Sequence, residues 1–456
     1  MTARIHLFAV PDFSTALKLI VLLCAMHQPG WSQEAVSSVV ANDGAGSTVG
    51  AATESEPAAE TSVSVEALRY REQALAALDA ERDDLAFELA RKAKRLAPED
   101  PQVVFLMALI LADRQRFPEA IRMLDVLAEK NPSVKLPAMG QTADWMIKAG
   151  LWEEGEERYR LLLSLAPDAS LVHRGLANLY LRQGERLLAS QRLVDLTRLG
   201  DIQELELRSL LIRCHSFSGD AMPETFDPVG QLGIARAKIA FGSWESAKET
   251  LLEEGVSGDR ANALLGRCYA TLGDWKALTQ WAKDFESSEL KHPDAFFAIG
   301  MHFEQSSDFL AAGESYVEAV LLDQTDVMAY GGLLRVAQQL QQNEVATEIQ
   351  KRIDMISRSQ EIGALMAGSP DRSYKTMTEL IDLLGQLRRP LESIAWRGLR
   401  LGYGQTHGTI TPSQADVILK QLISDREAHF DGGATVGDRD FILCGLDLDQ
   451  SRQGNP

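Results

Sequence analysis

The chain has 456 residues, 45% of them hydrophobic and 24% charged, and its 46 Lys and Arg against 65 Asp and Glu give a formal net charge of −19. That length exceeds one ordinary core, so several domains or an extended repeat array is expected. The acidic balance disfavours gripping a nucleic-acid backbone through a basic surface, while it keeps a chain soluble and attracts cationic partners.

The N-terminus reads as an export signal. Arg4 and Lys18 flank the apolar run Leu19–Met26, and Gly30-Trp31-Ser32 places small residues about a cleavage point after Ser32. The run falls short of the roughly 20 residues that span a bilayer as a helix, so residues 1–32 are expected to be removed, leaving no stable membrane span and a periplasmic or secreted protein. Cys24 follows the bulky Leu23, unlike a lipid-modified cysteine. Three cysteines remain, Cys214, Cys268 and Cys444, too sparse for a disulfide framework. A Cys214–Cys268 bridge and buried free thiols are the alternatives, and with no CxxC pair neither zinc nor thioredoxin-type chemistry has support. Residues 33–65, rich in Ser, Ala, Gly, Thr and Glu, cannot bury enough apolar surface to offset ordering and read as a disordered linker.

From Ala67 the pattern is helical and periodic. Ala86 and Ala120, Pro98 and Pro132, and Gly150 and Gly184 are each 34 residues apart. One copy contains Tyr70, Ala74, Ala86, Ala93 and Pro98, and the next Met107, Ala108, Leu111, Ala120, Leu124 and Pro132. A third holds Ala143, Gly150, Tyr159 and Pro167, and a fourth Leu176, Ala177, Tyr180, Gly184, Ala189 and Leu193. Weaker copies follow at Ala235, Gly242 and Ala247, at Gly266, Tyr269 and Gly273, at Gly300, Phe303, Ala312, Tyr316 and Ala319, and at Tyr330, Leu333 and Ala346.

This pattern resembles the tetratricopeptide repeat, a 34-residue helix–turn–helix unit with small residues at positions 8, 20 and 27, large ones at 4, 7, 11 and 24, Gly at 15 and Pro at 32. The resemblance implies an all-α solenoid, a right-handed superhelix with a concave face lined mainly by first helices. Small positions let paired helices approach, large ones fill the space between units, and the position-15 glycine ends the first helix with positive φ. The expected organisation is a four-repeat block at 67–203, an irregular insertion at 204–227, about four degenerate repeats at 228–357, a helical capping pair at 358–404, and a C-terminal helix and polar tail at 405–456.

The insertion is inferred from Gly184 and Gly242, which are 58 apart, 58 − 34 = 24 more than one repeat. It contains a helical stretch, LELRSLLIRCHSF, and suggests a break between two separately curved blocks; a degenerate repeat that has lost its second helix is the other reading. Near the C-terminus, Thr411-Pro412 starts a helix. The run in DRDFILCGLDLDQ reads as a strand or a docking segment, and Asp447 and Asp449 as a solvated tail, since the Gly and distal Glu of a calcium loop are missing.

No HExxH, GxSxG or GxxxxGK[ST] motif occurs. No catalytic residue, metal site or cofactor is therefore expected, and the implied role is a non-catalytic protein–protein interaction scaffold or assembly factor. The alternative is a glycan- or small-molecule-binding, enzyme-like exported protein using the same groove. Positions 2, 5, 9, 12 and 13 of the first helices supply the groove candidates for a peptide or protein partner: Arg71 and Leu75, Phe105 and Leu109, Asp144 and Lys148, and Arg174, Asn178 and Arg182. Arg174 and Asn178, one helical turn apart, also resemble half of a clamp for a terminal carboxylate, although Gly233 stands where the family's second Asn belongs. The ten-residue apolar run Val103–Ala112 reads as the first helix of the second repeat, with Phe105 and Leu109 on an apolar docking face.

Overall fold

The computed structural model describes residues 57–213, 227–253, 258–285, 291–368, 373–431 and 439–448. The expected signal, Cys214 and Asp449 lie outside them. The described residues are helical without strands, and the chain divides into two compact units between Pro167 and Asp168.

The first unit contains α1 (Pro57–Asp79), α2 (Asp83–Leu96), α3 (Pro101–Asp113), α4 (Phe117–Lys130), a 3-10 turn at Pro132–Val134, α5 (Lys135–Lys148) and α6 (Trp152–Leu165). These are three helix pairs, each packed on its neighbour. Helix α1 begins at Pro57, inside the stretch expected as linker. Pro101 at the first helical position and Asp100, whose carboxylate accepts from the N–H groups of Gln102 at 2.8 Å and Val103 at 3.2 Å, fix the start of α3.

The second unit opens with α7 (Ser170–Gln183), α8 (Arg186–Leu199) and the short α9 (Glu204–Leu210). Four pairs follow: α10 (Gly230–Ala240) with α11 (Trp244–Leu251), α12 (Asp259–Leu272) with α13 (Trp275–Phe285), α14 (Pro293–Gln305) with α15 (Phe309–Leu322), and α16 (Val327–Gln339) with α17 (Asn343–Gly368). The expected capping pair is α18 (Tyr374–Gln386) and α19 (Pro390–Thr406), and α20 (Pro412–Asp431) packs on α19. A final turn, α21 (Arg439–Ile442), is helical rather than a strand.

One backbone feature marks every pair. The residue between first and second helix is left-handed at Gly150, Gly184, Gly242 and Gly273, with φ of 72° to 82°, and equally at Glu81, Gln115, Ser307, Gln341 and Arg388, with φ of 52° to 63°. The intervals 115 − 81, 184 − 150, 307 − 273 and 341 − 307 are all 34. The repeat therefore persists in geometry where the glycine has been lost, at a modest conformational cost for each L-residue. Repeat positions 8 and 20 are as expected: Ala74, Ala86, Ala108, Ala120, Ala143, Ala189, Ala235, Ala247 and Ala312 are all 0% exposed. These are tetratricopeptide-like helix pairs.

The insertion does not interrupt the row of first helices. Helix α10 packs directly on α7, and the Val229 N–H donates to the Arg182 carbonyl at 2.7 Å. Helix α9 packs on α8 and α19, and Leu207, Leu210 and Leu211 are completely buried in a cluster with Leu193 and Leu196 of α8, Ile362 and Met366 of α17, Leu380 and Leu384 of α18 and Trp396 of α19. Arg389 donates to the Leu210 carbonyl at 2.6 Å, and Arg213 donates to Glu392 at 2.9 Å and, through its backbone, to Thr325 Oγ1 at 2.8 Å. The helices near the start of this unit thus meet α17–α19, and residues 204–213 of the expected break are part of the contact.

Close packing in the second unit is set by glycines facing aromatic rings. Tyr316 is fully buried between Gly300 of α14 and Gly332 of α16, and a Cβ at either glycine would lie 2.5 Å from its ring. Gly→Ala inside an exposed helix ordinarily stabilises by about 1 kcal/mol. At Gly300 the sign should reverse, with overpacking costing about 1–3 kcal/mol. Gly385 of α18, whose added Cβ would meet nothing within 4 Å, should show the ordinary gain. Urea denaturation midpoints of Gly300→Ala and Gly385→Ala, shifted in opposite directions, are the expected result.

Candidate protein-binding surfaces

In the first unit the run Val103–Ala112 is buried without a gap, with Phe105 at 6% and Leu109 at 3% exposure. The expectation of an apolar docking face on α3 is corrected here: a helix apolar on all sides is driven into a core whichever repeat position each residue holds. Leu75 is partly buried against the same cluster. Arg71 is half-buried and donates to Gln102 of α3, while Asp144 and Lys148 pair along α5 at 2.8 Å and remain accessible.

The same unit presents an open cleft of about 780 Å³ on its second helices, between α2 and α4. Val104, Met123, Val126 and Leu127 form an apolar floor, and Lys94, Glu99, Glu119, Arg122 and Lys130 a charged rim. Val126 is 52% exposed, and Lys130 pairs with Glu99 at 3.0 Å. Burial holds the Lys94 ammonium below its ordinary pKa, against the opposing pull of Glu99. An apolar floor with a mixed-charge rim suits a polypeptide segment better than a phosphate backbone. The sequence signal for this cleft is Met123 and Val126 on a predicted helix surface, which a search confined to first helices passes over.

In the second unit the three groove candidates are on α7. Asn178 is exposed. Arg174 is half-buried, donating from Nε to Glu206 at 2.6 Å and from Nη2 to the Asp201 carbonyl at 2.5 Å. Burial opposes its charge, but the hydrogen bond and attraction of Glu206, with Asp201, hold the guanidinium above its ordinary pKa. The carboxylate that a clamp would take from a ligand is thus supplied by α9. Arg182 donates to the Asp227 carbonyl at 2.8 Å and carboxylate at 2.9 Å. Gly233 departs from the clamp pattern for a steric reason: its Cβ would lie 2.1 Å from the Arg182 carbonyl oxygen, so the α7–α10 contact excludes Asn there.

Further along this unit the position-9 residues Arg236 and Arg267 are buried with Asp294 and Asp326. Asp294 accepts from Arg236 and, at 3.4 Å, from Arg267, which also grips Asp326 through two hydrogen bonds of 2.7 and 2.9 Å. Asp326 in turn caps α16 through Met328 and Ala329 N–H groups at 3.0 and 3.1 Å, and Arg267 stacks 4.2 Å over Phe297. Groove-phase positions in these repeats are therefore committed to the core. Cys268 beside them is a free buried thiol, pushed up to about 12 chiefly by burial. Where α8, α19 and α20 meet, a cavity of about 200 Å³ remains, lined mostly by apolar side chains such as Ile202, Leu391, Leu399 and Leu422.

Among the described residues no group of three His, Cys, Asp or Glu could hold a metal, and no helix is long and apolar enough to cross a membrane. The chain matches no protein-family model and no curated protein sequence. Among solved structures it is similar to a tetratricopeptide repeat protein from Parabacteroides merdae, at 12% identity over 60% of this chain and 99% of that one, with a TM-score of 0.28. It is also similar to the APC/C hetero-tetramer Cut9–Hcn1, at 11% identity over 85% and 96% of the two chains and a TM-score of 0.25. A third similarity is to the human IFIT1 dimer with PPP-AAAA, at 14% identity, 81% and 95% coverage and a TM-score of 0.25.

Proposed function

We propose that this helical-repeat protein is a non-catalytic interaction scaffold or assembly factor acting outside the cytoplasm, where it holds a segment of a partner protein on the surface of its helix pairs. The observation that carries the reading is the α2–α4 cleft, where exposed Val126 and half-buried Met123 lie beside the buried Val104 and Leu127, while the small residues of the repeat phase are spent in the core. Asp144 and Lys148 on the first-helix face of this unit, and Asn178 on that of the other, are further accessible contacts. The secretory reading of residues 1–32 supports the setting.

The test is affinity capture from envelope and secreted fractions with the full chain. A stoichiometric protein should be recovered, and Arg122→Glu with Val126→Glu should lower its recovery at least about tenfold, the equivalent of 1.4 kcal/mol. Recovery unaffected by this pair and by joint alanine replacement of Asp144, Lys148 and Asn178 would sink the proposal, as would specific glycan binding with no captured protein.

A further inference from the structure

The chain's own residues 439–448 lie on the second unit in the manner of a bound peptide. Helix α21 is a single turn, and the residues after it are irregular, with Cys444 and Gly445 left-handed at φ of 55° and 77°. Phe441 is held between the guanidinium groups of Arg352 and Arg388, 4.1 and 4.0 Å from its ring. Ile442, Leu443 and Leu446 are buried at 0, 6 and 8% exposure in the cluster built mainly by α12–α17. Tyr330 Oη donates to the Ile442 carbonyl at 3.2 Å. The Gln342 side-chain amide reads the segment's main chain at both ends of one residue, donating to the Asp447 carbonyl at 2.7 Å and accepting from its N–H at 3.5 Å. Leu448 fits against Gly313, where a Cβ would come within 2.9 Å of it.

These contacts differ in kind from those that hold the repeats. Each repeat helix is fixed by side chains along several turns, whereas this segment is anchored by a few apolar side chains and by donors directed at its backbone. That combination, with pockets for specificity and polar groups for the main chain, characterises peptide recognition. The receiving groups Tyr330, Gln342 and Arg352, with Gly313 as a relief, all come from the repeat pairs α15–α17 and the turn between α16 and α17.

We propose that the surface formed by α15, α16, α17 and the α18–α19 turn is a binding site for a polypeptide segment with Phe, an aliphatic residue and Leu on one helical turn and a further Leu three residues on, and that residues 439–448 are its displaceable built-in occupant. Because the occupant is tethered, its effective concentration is high and it competes with any incoming segment. The assignment rests on the protein-binding reading above and adds the chemistry of the partner. Its test is separable: peptide binding without any captured partner would retain this site and remove that reading.

The probe is a fluorescently labelled synthetic peptide of residues 437–450 carrying Cys444→Ser, titrated by anisotropy. The full chain bearing Phe441→Ala and Ile442→Ala should bind it saturably and at least about tenfold more tightly than the unaltered chain does. Adding Gln342→Ala should weaken that binding at least about fivefold, the scale of the main-chain hydrogen bonds it removes. Equal affinity for both chains, or no saturable binding to the variant, would overturn the proposal. So would collapse of the variant's helical circular dichroism or of its cooperative unfolding, because the segment would then be core rather than ligand.

Discussion

Replacing Asp294 by alanine should destabilise the second unit by about 3–5 kcal/mol, the penalty typical of orphaning one side of a buried ion pair. The side chains of Arg236, Arg267, Asp294 and Asp326 are 0–3% exposed, and Asp294 pairs with both arginines, with His292 Nδ1 also 3.4 Å from its carboxylate. Loss of Asp294 takes away the carboxylate that lies between Arg236 and Arg267, and arginine cannot relieve the added positive charge by losing its proton. Charge parity then makes a sharper statement. Arg236→Met combined with Asp294→Ala removes one charge of each sign and leaves the two-point Arg267–Asp326 pair intact, so it should recover most of the loss. Urea unfolding of the two variants beside the parent measures this. Equal destabilisation by both would show that lost packing, not uncompensated charge, sets the cost. Moderate salt should change neither result much, since buried charges are poorly screened.

The same network shows where the sequence is legible. Gly150, Gly184, Gly242 and Gly273 announce left-handed turns, and the structure places them there. Alanines at repeat positions 8 and 20 announce the helix contacts. Both are local rules, repeated with a 34-residue period, and the period makes them visible. Arg236 and Arg267, by contrast, stand at position 9, which in an isolated repeat faces solvent. Their partners are 58 and 59 residues away, and nothing local says that a carboxylate at the start of a later repeat will cover them. Phe105 and Leu109 depart from expectation for the opposite reason: composition outweighs repeat phase on α3, because ten consecutive apolar residues leave no polar stripe for a groove.

The groove reading of α7 fails in part through long-range pairing. Repeat position alone leaves Arg174 awaiting a ligand, yet Glu206, 32 residues on, reaches it. That carboxylate belongs to the stretch between Gly184 and Gly242, whose length is legible and whose destination is not. Helix α9 is held partly from far along the chain: the Leu211 carbonyl just after it and the Leu210 carbonyl accept from Gln360 and Arg389, 149 and 179 residues later. Arg389 and Glu392, both nearly buried, complete this seam, with Arg389 held below its ordinary pKa by burial and supported by Glu392.

The seam carries the last prediction. Trp396 of α19 is fully buried against residues of α8, α9, α17 and α18, and Trp396→Ala should cost about 3–5 kcal/mol. In an open array each repeat feels only its neighbours, so a lesion in the final pair would loosen that pair and fray inward from the end. In a unit where α8 and α9 share one cluster with α17–α19, the lesion removes contacts from both stretches at once. Hydrogen exchange in Trp396→Ala should therefore rise together in 170–211 and in 374–406, with a smaller change in α12 and α13. Faster exchange confined to α18–α20 would mean that α9 rests on the last pair without depending on it. The joint response is expected because Leu207, Leu210 and Leu211 have nowhere else to go: α9 is seven residues long, too short to hold as a helix without the tertiary contacts that Trp396 anchors.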